Sequence, residues 1–125
     1  DQRARKGLCG SRILLLGAAY KKNVDDTRES PSLRLMELLE KRGAVVEYFD
    51  PFVPSIPSTR EHPDLAGRRS QPWRPETLGS YDAVLIATDH DGVDYKTVAE
   101  NAAVVVDTRN ACARSGADMT RVVLA

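Results

Sequence analysis

Basic side chains follow two apolar runs of this sequence, and they are the residues best suited to chemistry. The first run, residues 12–17, leads into a polar segment that contains Lys21 and Arg28. The second run, residues 103–107, is followed almost at once by Arg109. Lysine and arginine near a strand end and a helix N-terminus are suited to phosphate binding. If both runs are strands of one parallel sheet, these cations face one crevice, and the sequence predicts a phosphate site there.

Both basic elements also admit a structural interpretation. Charges of both signs are mixed in the first segment, as in many solvated loops, and surface ion pairs contribute little to stability. Arg109 could pair with Asp107 or Asp82 instead of a ligand. Asp25 and Asp26 are predicted to order the loop. They are not predicted to bind a metal, because adjacent carboxylates rarely point the same way and no third one is spaced to complete a site.

The remaining reactive side chains do not form a catalytic set. Asp89, His90 and Asp91 follow a third apolar run, but no nucleophile or further ligand accompanies them, so His90 is expected to be a loop residue or a helix-capping partner. Cys9 and Cys112 have no metal spacing and no neighbouring base, and we expect two free thiols in a reducing compartment.

Short apolar runs alternate with helical segments along the chain. The predicted strands are residues 12–17, 45–49, 83–87, 103–107 and 121–124. The main helix begins with Ser30 as N-cap and Pro31 at its first position, and Gly43 ends it. Shorter helices are predicted at residues 75–78 and 95–101. This alternation predicts an α/β fold, a Rossmann-like three-layer sandwich with a mainly parallel, doubly wound sheet of about five strands.

Composition limits the class of protein. The length of 125 residues fits one domain, which we place at residues 12–125 after a linker or helix end at residues 1–11. Lysine plus arginine and aspartate plus glutamate both number 18, which argues against a nucleic-acid or membrane-surface partner. The polar start without a signal peptide or Met predicts a cytoplasmic piece of a longer protein.

The glycine pattern after the first strand argues against a dinucleotide turn. Gly17 is followed by Ala-Ala-Tyr-Lys, so the G-x-G-x-x-G fingerprint of pyrophosphate binding is absent.

Several motifs in order resemble one known family. They are Gly17–Pro31, Arg42-Gly-Ala, Tyr48-Phe-Asp-Pro51, the run from Asp82 to His90, and Val106-Asp-Thr-Arg-Asn110. At these spacings the chain, from about residue 10 onward, resembles the UDP-binding C-terminal domain of the UDP-glucose/GDP-mannose dehydrogenase family.

The resemblance implies a parent enzyme with more than this domain. Such an enzyme oxidises the C6 alcohol of a UDP-sugar to a carboxylate with two NAD, which an upstream Rossmann domain binds, and it is expected to be a homo-oligomer. Its catalytic cysteine lies upstream in a G-F-G-G-x-C type motif, which this chain lacks. The resemblance therefore implies no catalytic residue and no metal in this chain, and a fragment that is inactive alone.

The resemblance also implies roles for individual residues. Tyr20 and Lys21 match the pair that lies along the UDP-sugar, and Arg109 matches an arginine that reaches the substrate. Arg28 matches an arginine that faces the cofactor across the domain cleft. The residues of these motifs are most similar to those of enzymes that act on UDP-N-acetylglucosamine or UDP-N-acetylmannosamine, with UDP-glucose as the other candidate substrate.

Two other classes stay open on the sequence alone. One is a free-standing nucleotide-binding regulatory module without catalysis. The other is a receiver domain, which would need a phosphorylatable aspartate in an acidic pocket, whereas these strand ends carry Gly17 and Asp107-Thr-Arg.

Overall fold

The computed structural model describes residues 9–19, 23, 27 and 30–125. Its strands are β1 (Arg12–Leu16), β2 (Val45–Phe49), β3 (Ala83–Ile86), β4 (Val105–Asp107) and β5 (Val122–Leu124). Its α-helices are α1 (Pro31–Lys41), α2 (Tyr95–Asn101) and α3 (Ala111–Arg114), and two 3₁₀ helices span Pro63–Leu65 and Pro75–Ser80.

The strands form one sheet in the order β2-β1-β3-β4-β5, and every neighbouring pair is parallel. This confirms the predicted doubly wound α/β fold. All five strands consequently end at the same edge of the sheet. After β1 the chain crosses to β2 on one side, and it later returns to β3 on the other side. This reversal of strand order is the point at which such sheets open a ligand crevice.

Helix α1 begins and ends as the sequence predicts. The Ser30 hydroxyl accepts a hydrogen bond from the Ser32 N–H at 3.2 Å, and Pro31 occupies the first turn. Gly43 adopts φ +91° just beyond the helix, a conformation that costs glycine little. Leu33 and Met36 lie on the buried face of the helix, whereas Leu38 is 45% exposed.

The core has two parts, one on each face of the sheet. Ile13, Leu15 and Val46 pack under α1 and the segment that follows β2. Leu14, Leu16 and the buried residues of β3 pack under α2, α3 and the second 3₁₀ helix. Alternate side chains of β1 thus serve both halves, as expected for a strand covered on both faces.

Shorter elements were less well predicted. The fourth strand begins at Val105 instead of residue 103, and α3 was not predicted. Only four residues form α3, and they follow Asn110 with φ 59°, so they offer little helical periodicity. Within the described part of the chain, every helix is too short or too polar to span a bilayer.

Candidate functional site

Asp50 ties the end of β2 to the residues that follow β1. The side chain is buried, with 1% of the residue exposed. Its Oδ2 accepts hydrogen bonds from the N–H groups of Ala18 at 2.7 Å and Ala19 at 3.1 Å, and its Oδ1 accepts one from the Phe52 N–H at 2.7 Å. A buried carboxylate is costly unless it is hydrogen-bonded, and these donors meet that need. Asp50 therefore fixes the backbone of Ala18 and Ala19, the residues that begin the loop after β1.

His90 extends the same network from the loop after β3. It is 1% exposed, its Nε2 lies 2.8 Å from Asp50 Oδ2, and its Nδ1 accepts the Asn23 N–H at 2.6 Å. Because a backbone N–H can only donate, Nδ1 carries a lone pair and Nε2 carries the proton that is donated to Asp50. The surroundings thus select the neutral Nε2–H tautomer. Of the two interpretations of His90, the structure favours the loop residue: its ring binds the backbone of Asn23, and among the described residues it caps no helix.

A second contact joins Asn23 to the loop after β3. The Asn23 side chain donates from Nδ2 to Asp91 Oδ2 at 2.7 Å, and its Oδ1 accepts the Asp91 N–H at 3.0 Å. Asn23 has φ 62°, a left-handed conformation that asparagine tolerates better than most residues. The backbone and the side chain of this residue are therefore both bound to the end of β3.

Gly17 and Thr88 bring the ends of β1 and β3 into contact. Gly17 has φ +94°, and a Cβ there would lie 2.4 Å from Thr88 Cβ and 2.6 Å from the Thr88 carbonyl oxygen. The Thr88 hydroxyl donates to the Ala19 carbonyl at 2.9 Å, and the Ser30 hydroxyl donates to the Ala18 carbonyl at 2.8 Å. Only glycine permits this approach of the two loops.

Arg109 lies at the same edge, after β4. Its N–H donates to the buried Asp107 at 2.9 Å, and its guanidinium Nε donates to the Ala87 carbonyl at 3.0 Å. Asp82 lies at the opposite end of the sheet, where it accepts the Arg12 N–H at 2.8 Å. The guanidinium is thus directed by a carbonyl of the β3 end, and pairing with Asp82 is excluded.

Arg114 supports this corner and was not singled out from the sequence. Its Nη2 donates to Asp89 Oδ2 at 2.5 Å and to the Arg109 carbonyl at 3.1 Å. Helix α3 therefore links the loops after β3 and β4. Its short length left no sequence signal for this contact.

Cys112 is a buried structural thiol. Its N–H donates to Asp107 at 2.9 Å, and burial, followed by the charge of Asp107, raises the pKa of the thiol to about 11. Protonated thiols are poor nucleophiles, which supports the absence of a catalytic role. No group of metal-ligating side chains occurs among the residues that the structure describes.

The other predicted site residues, Tyr20, Lys21 and Arg28, lie outside the described residues, as do Asp25 and Asp26. Their roles remain predictions. The described positions Ala19 and Asn23 bracket Tyr20 and Lys21 in the sequence.

The strand end does not fit a dinucleotide pyrophosphate. In the usual fingerprint, glycines let the backbone approach the phosphates. Here the space beside Gly17 is filled by Thr88, and the following N–H groups of Ala18 and Ala19 are bound to Asp50. Among the described residues, this turn offers no free N–H cradle of that kind.

Comparison with known families decides the relationship. Residues 14–114 match the family described as "UDP-glucose/GDP-mannose dehydrogenase family, UDP binding domain". The chain belongs to this family. The match to the UDP-binding domain begins within β1 and ends at the last residue of α3.

Relatives of this UDP-binding domain are longer proteins. A UDP-N-acetyl-D-mannosamine dehydrogenase of Methanococcus maripaludis is 34% identical over 85 residues, which are 68% of this chain and 17% of the relative. The UDP-glucose 6-dehydrogenase AglM of Haloferax volcanii is 34% identical over 116 residues, 90% of this chain and 26% of the relative. The chain therefore spans about a quarter or less of the length of these relatives.

A solved structure agrees with this UDP-binding domain. A UDP-D-ManNAc dehydrogenase from Pyrococcus horikoshii matches with a TM-score of 0.64 and 27% identity, over 88% of this chain and 24% of that one.

Proposed function

We propose that this chain is the UDP-sugar-binding part of an NAD-dependent nucleotide-sugar 6-dehydrogenase and that it is inactive alone. The parent enzyme would oxidise the C6 alcohol of a UDP-N-acetylhexosamine or of UDP-glucose to the uronate. An upstream Rossmann domain would bind most of the NAD and supply the catalytic cysteine. We further propose that the parent is a cytoplasmic homo-oligomer.

One observation carries the proposal: Arg109 lies at the same edge of the sheet as the described residues that follow β1, Gly17 to Ala19. Arg109 is bound to the Ala87 carbonyl, while Ala19 accepts from Thr88, the next residue of the same loop. In the sequence, Lys21 and Lys22 follow those residues closely, and together with Arg109 they would provide positive charge for a diphosphate. In this proposal Tyr20, Lys21 and Arg109 contact the UDP-sugar.

In this proposal Arg28 would face the cofactor, which the upstream Rossmann domain of the parent would bind. NAD would supply a hydride acceptor, and this chain would contribute one cation next to it. The turn at Gly17 does not fit a dinucleotide, so no contact with the NAD pyrophosphate is assigned to it.

Calorimetric titration of the chain with UDP tests the site. We expect binding by the unmodified chain, with a loss of roughly 10- to 100-fold in affinity for Lys21→Ala and for Arg109→Ala, as expected for a charge-assisted hydrogen bond. Arg12→Ala is the matched control, because its guanidinium pairs with Glu47 at 3.1 Å near the opposite end of the sheet. Unchanged affinity in both site variants would reject the assignment.

A second measurement addresses catalysis. With UDP-sugars and NAD, the chain alone should produce no NADH absorbance. Turnover by the chain alone would overturn the proposal that the catalytic machinery lies elsewhere in the parent.

A further inference from the structure

The described residues between β1 and α1 are bound by side chains that follow other strands. The N–H groups of Ala18 and Ala19 bind Asp50, and the N–H of Asn23 binds His90. Asp50 follows β2 and His90 follows β3, on opposite sides of β1 in the sheet. The backbone at Ala18, Ala19 and Asn23 is therefore bound by groups far away in sequence.

The two anchoring side chains are connected through one oxygen atom. Asp50 Oδ2 accepts from Ala18, from Ala19 and from His90 Nε2. The opposite ring nitrogen of His90 then accepts from Asn23. The carboxylate and the imidazole thus join the residue before Tyr20 to the residue after Lys22, and they set the separation of these two points.

The Asp50 carboxylate and the His90 imidazole are almost completely buried, and both oxygens and both ring nitrogens take part in hydrogen bonds. Buried polar networks often add little stability compared with apolar packing, and their best-supported benefit is to specify one arrangement. Here the arrangement that is specified is the course of the backbone on either side of Tyr20 and Lys21. Phe52 covers the imidazole, with ring centroids 4.8 Å apart, and restricts its rotation.

We propose that Asp50 and His90 are positioning residues for UDP-sugar binding, acting through the backbone N–H groups of Ala18, Ala19 and Asn23. They are not assigned a contact with the ligand. This inference rests on the proposed function, because it assumes that Tyr20 and Lys21 contact the UDP-sugar. It predicts that ligand affinity depends on the bond from His90 Nδ1 to the Asn23 N–H separately from fold stability.

Two substitutions of His90 separate these effects. In His90→Gln the side-chain amide reaches the Nε2 position and can still donate to Asp50, but the acceptor for Asn23 is lost. In His90→Asn the amide oxygen occupies the Nδ1 position and can accept from Asn23, but the donor to Asp50 is lost. The two variants thus each keep one side of the connection.

The expected orders of binding and stability are opposite. His90→Gln should weaken UDP binding in calorimetry by roughly 10-fold, the loss expected for one hydrogen bond, while His90→Asn stays within about 3-fold of the unmodified chain. In urea unfolding, His90→Asn should be the less stable variant, because a buried carboxylate loses its side-chain donor. A purely structural role would instead make affinity follow stability.

His62→Gln is the matched control. His62 is the other histidine of the chain, and its Nδ1 pairs with Glu37 at 2.5 Å on the surface of α1. Its substitution should leave UDP affinity within about 2-fold, since His62 is not among the groups that bind Ala18, Ala19 and Asn23. If His90→Gln binds UDP as tightly as His62→Gln, the positioning role is wrong while the proposed function stands. If the unmodified chain does not bind UDP, the proposed function itself fails.

Amide hydrogen exchange of the unmodified chain decides the matter if the His90 variants do not fold. Saturating UDP should slow exchange of the Asn23 amide by roughly 5-fold or more, because a ligand that binds the folded arrangement disfavours the opening in which the bond from Asn23 to His90 is broken. The Ala102 amide, bound to Val98 at 2.9 Å on the far side of the sheet, provides the reference. Equal exchange of Asn23 with and without bound UDP would overturn the inference.

Discussion

Replacing Gly17 by alanine should destabilise the fold much more than the same change at other glycines with positive φ. At Gly17 the new Cβ would lie 2.4 Å from Thr88 Cβ and 2.6 Å from the Thr88 carbonyl oxygen. Part of that contact is backbone, which cannot rotate away. Relief requires the ends of β1 and β3 to separate, although Leu16 and Ile86 are paired in register at that point.

The magnitude follows from two contributions. A left-handed conformation costs an L-residue about 1–2 kcal/mol. Overpacking against a fixed neighbour adds about 1–3 kcal/mol. Against these costs, alanine has less conformational freedom than glycine in the unfolded state, which stabilises the variant by about 0.4–1 kcal/mol and offsets part of the loss. We expect a net loss of about 3 kcal/mol in the free energy of unfolding, in line with these terms.

Gly116→Ala isolates the contact. Gly116 has φ +74°, and a Cβ there would meet no atom within 4 Å. Urea unfolding of both variants therefore compares similar backbone strain with and without the clash. A difference between them of less than about 0.5 kcal/mol, the usual size of a neutral surface change, would refute the argument that Thr88 makes Gly17 necessary.

Other side chains give further tests. Native alkylation followed by mass spectrometry should label the exposed Cys9 and leave Cys112 unlabelled, and labelling of both at similar rates would contradict its burial. Since burial raises the pKa of the Cys112 thiol from 9.0 to about 11, the unfolded thiol ionises first, and stability should fall as pH rises across that interval, but not in Cys112→Ala. Tyr48→Phe should cost about 1–2 kcal/mol in urea unfolding, because the hydroxyl donates to the Val53 carbonyl at 2.9 Å, and an unchanged midpoint would contradict this.

Local patterns explain why much of the fold could be predicted. The apolar runs of β1 and β2 and the Ser30-Pro31 start of α1 are visible in short windows of sequence. The strand alternation then implies a parallel sheet, and the parallel sheet implies that Gly17 and Arg109 lie at one edge.

The connections within the site depend on tertiary contacts, which such windows do not contain. Asp50 and His90 are 40 positions apart, and nothing in either neighbourhood indicates that they bond. The sequence placed His90 after a predicted strand and Asp50 within a family motif, but the partner of each became apparent only in the folded arrangement. Arg114 was missed for the same reason, since its contact with Asp89 spans 25 positions.

The place of β1 between β2 and β3 bears on the order of folding. Contacts from the β1 loop to Asp50 close 32 positions, whereas those from Asn23 to His90 close 67. Each doubling of a closed loop costs about 0.6 kcal/mol of chain entropy, so the unit formed by β1, α1 and β2 can close first. His90 follows β3, so its bond to Asn23 can form only once β3 has joined the sheet. UDP binding should therefore appear late in refolding, after helix formation, and would report completion of the sheet.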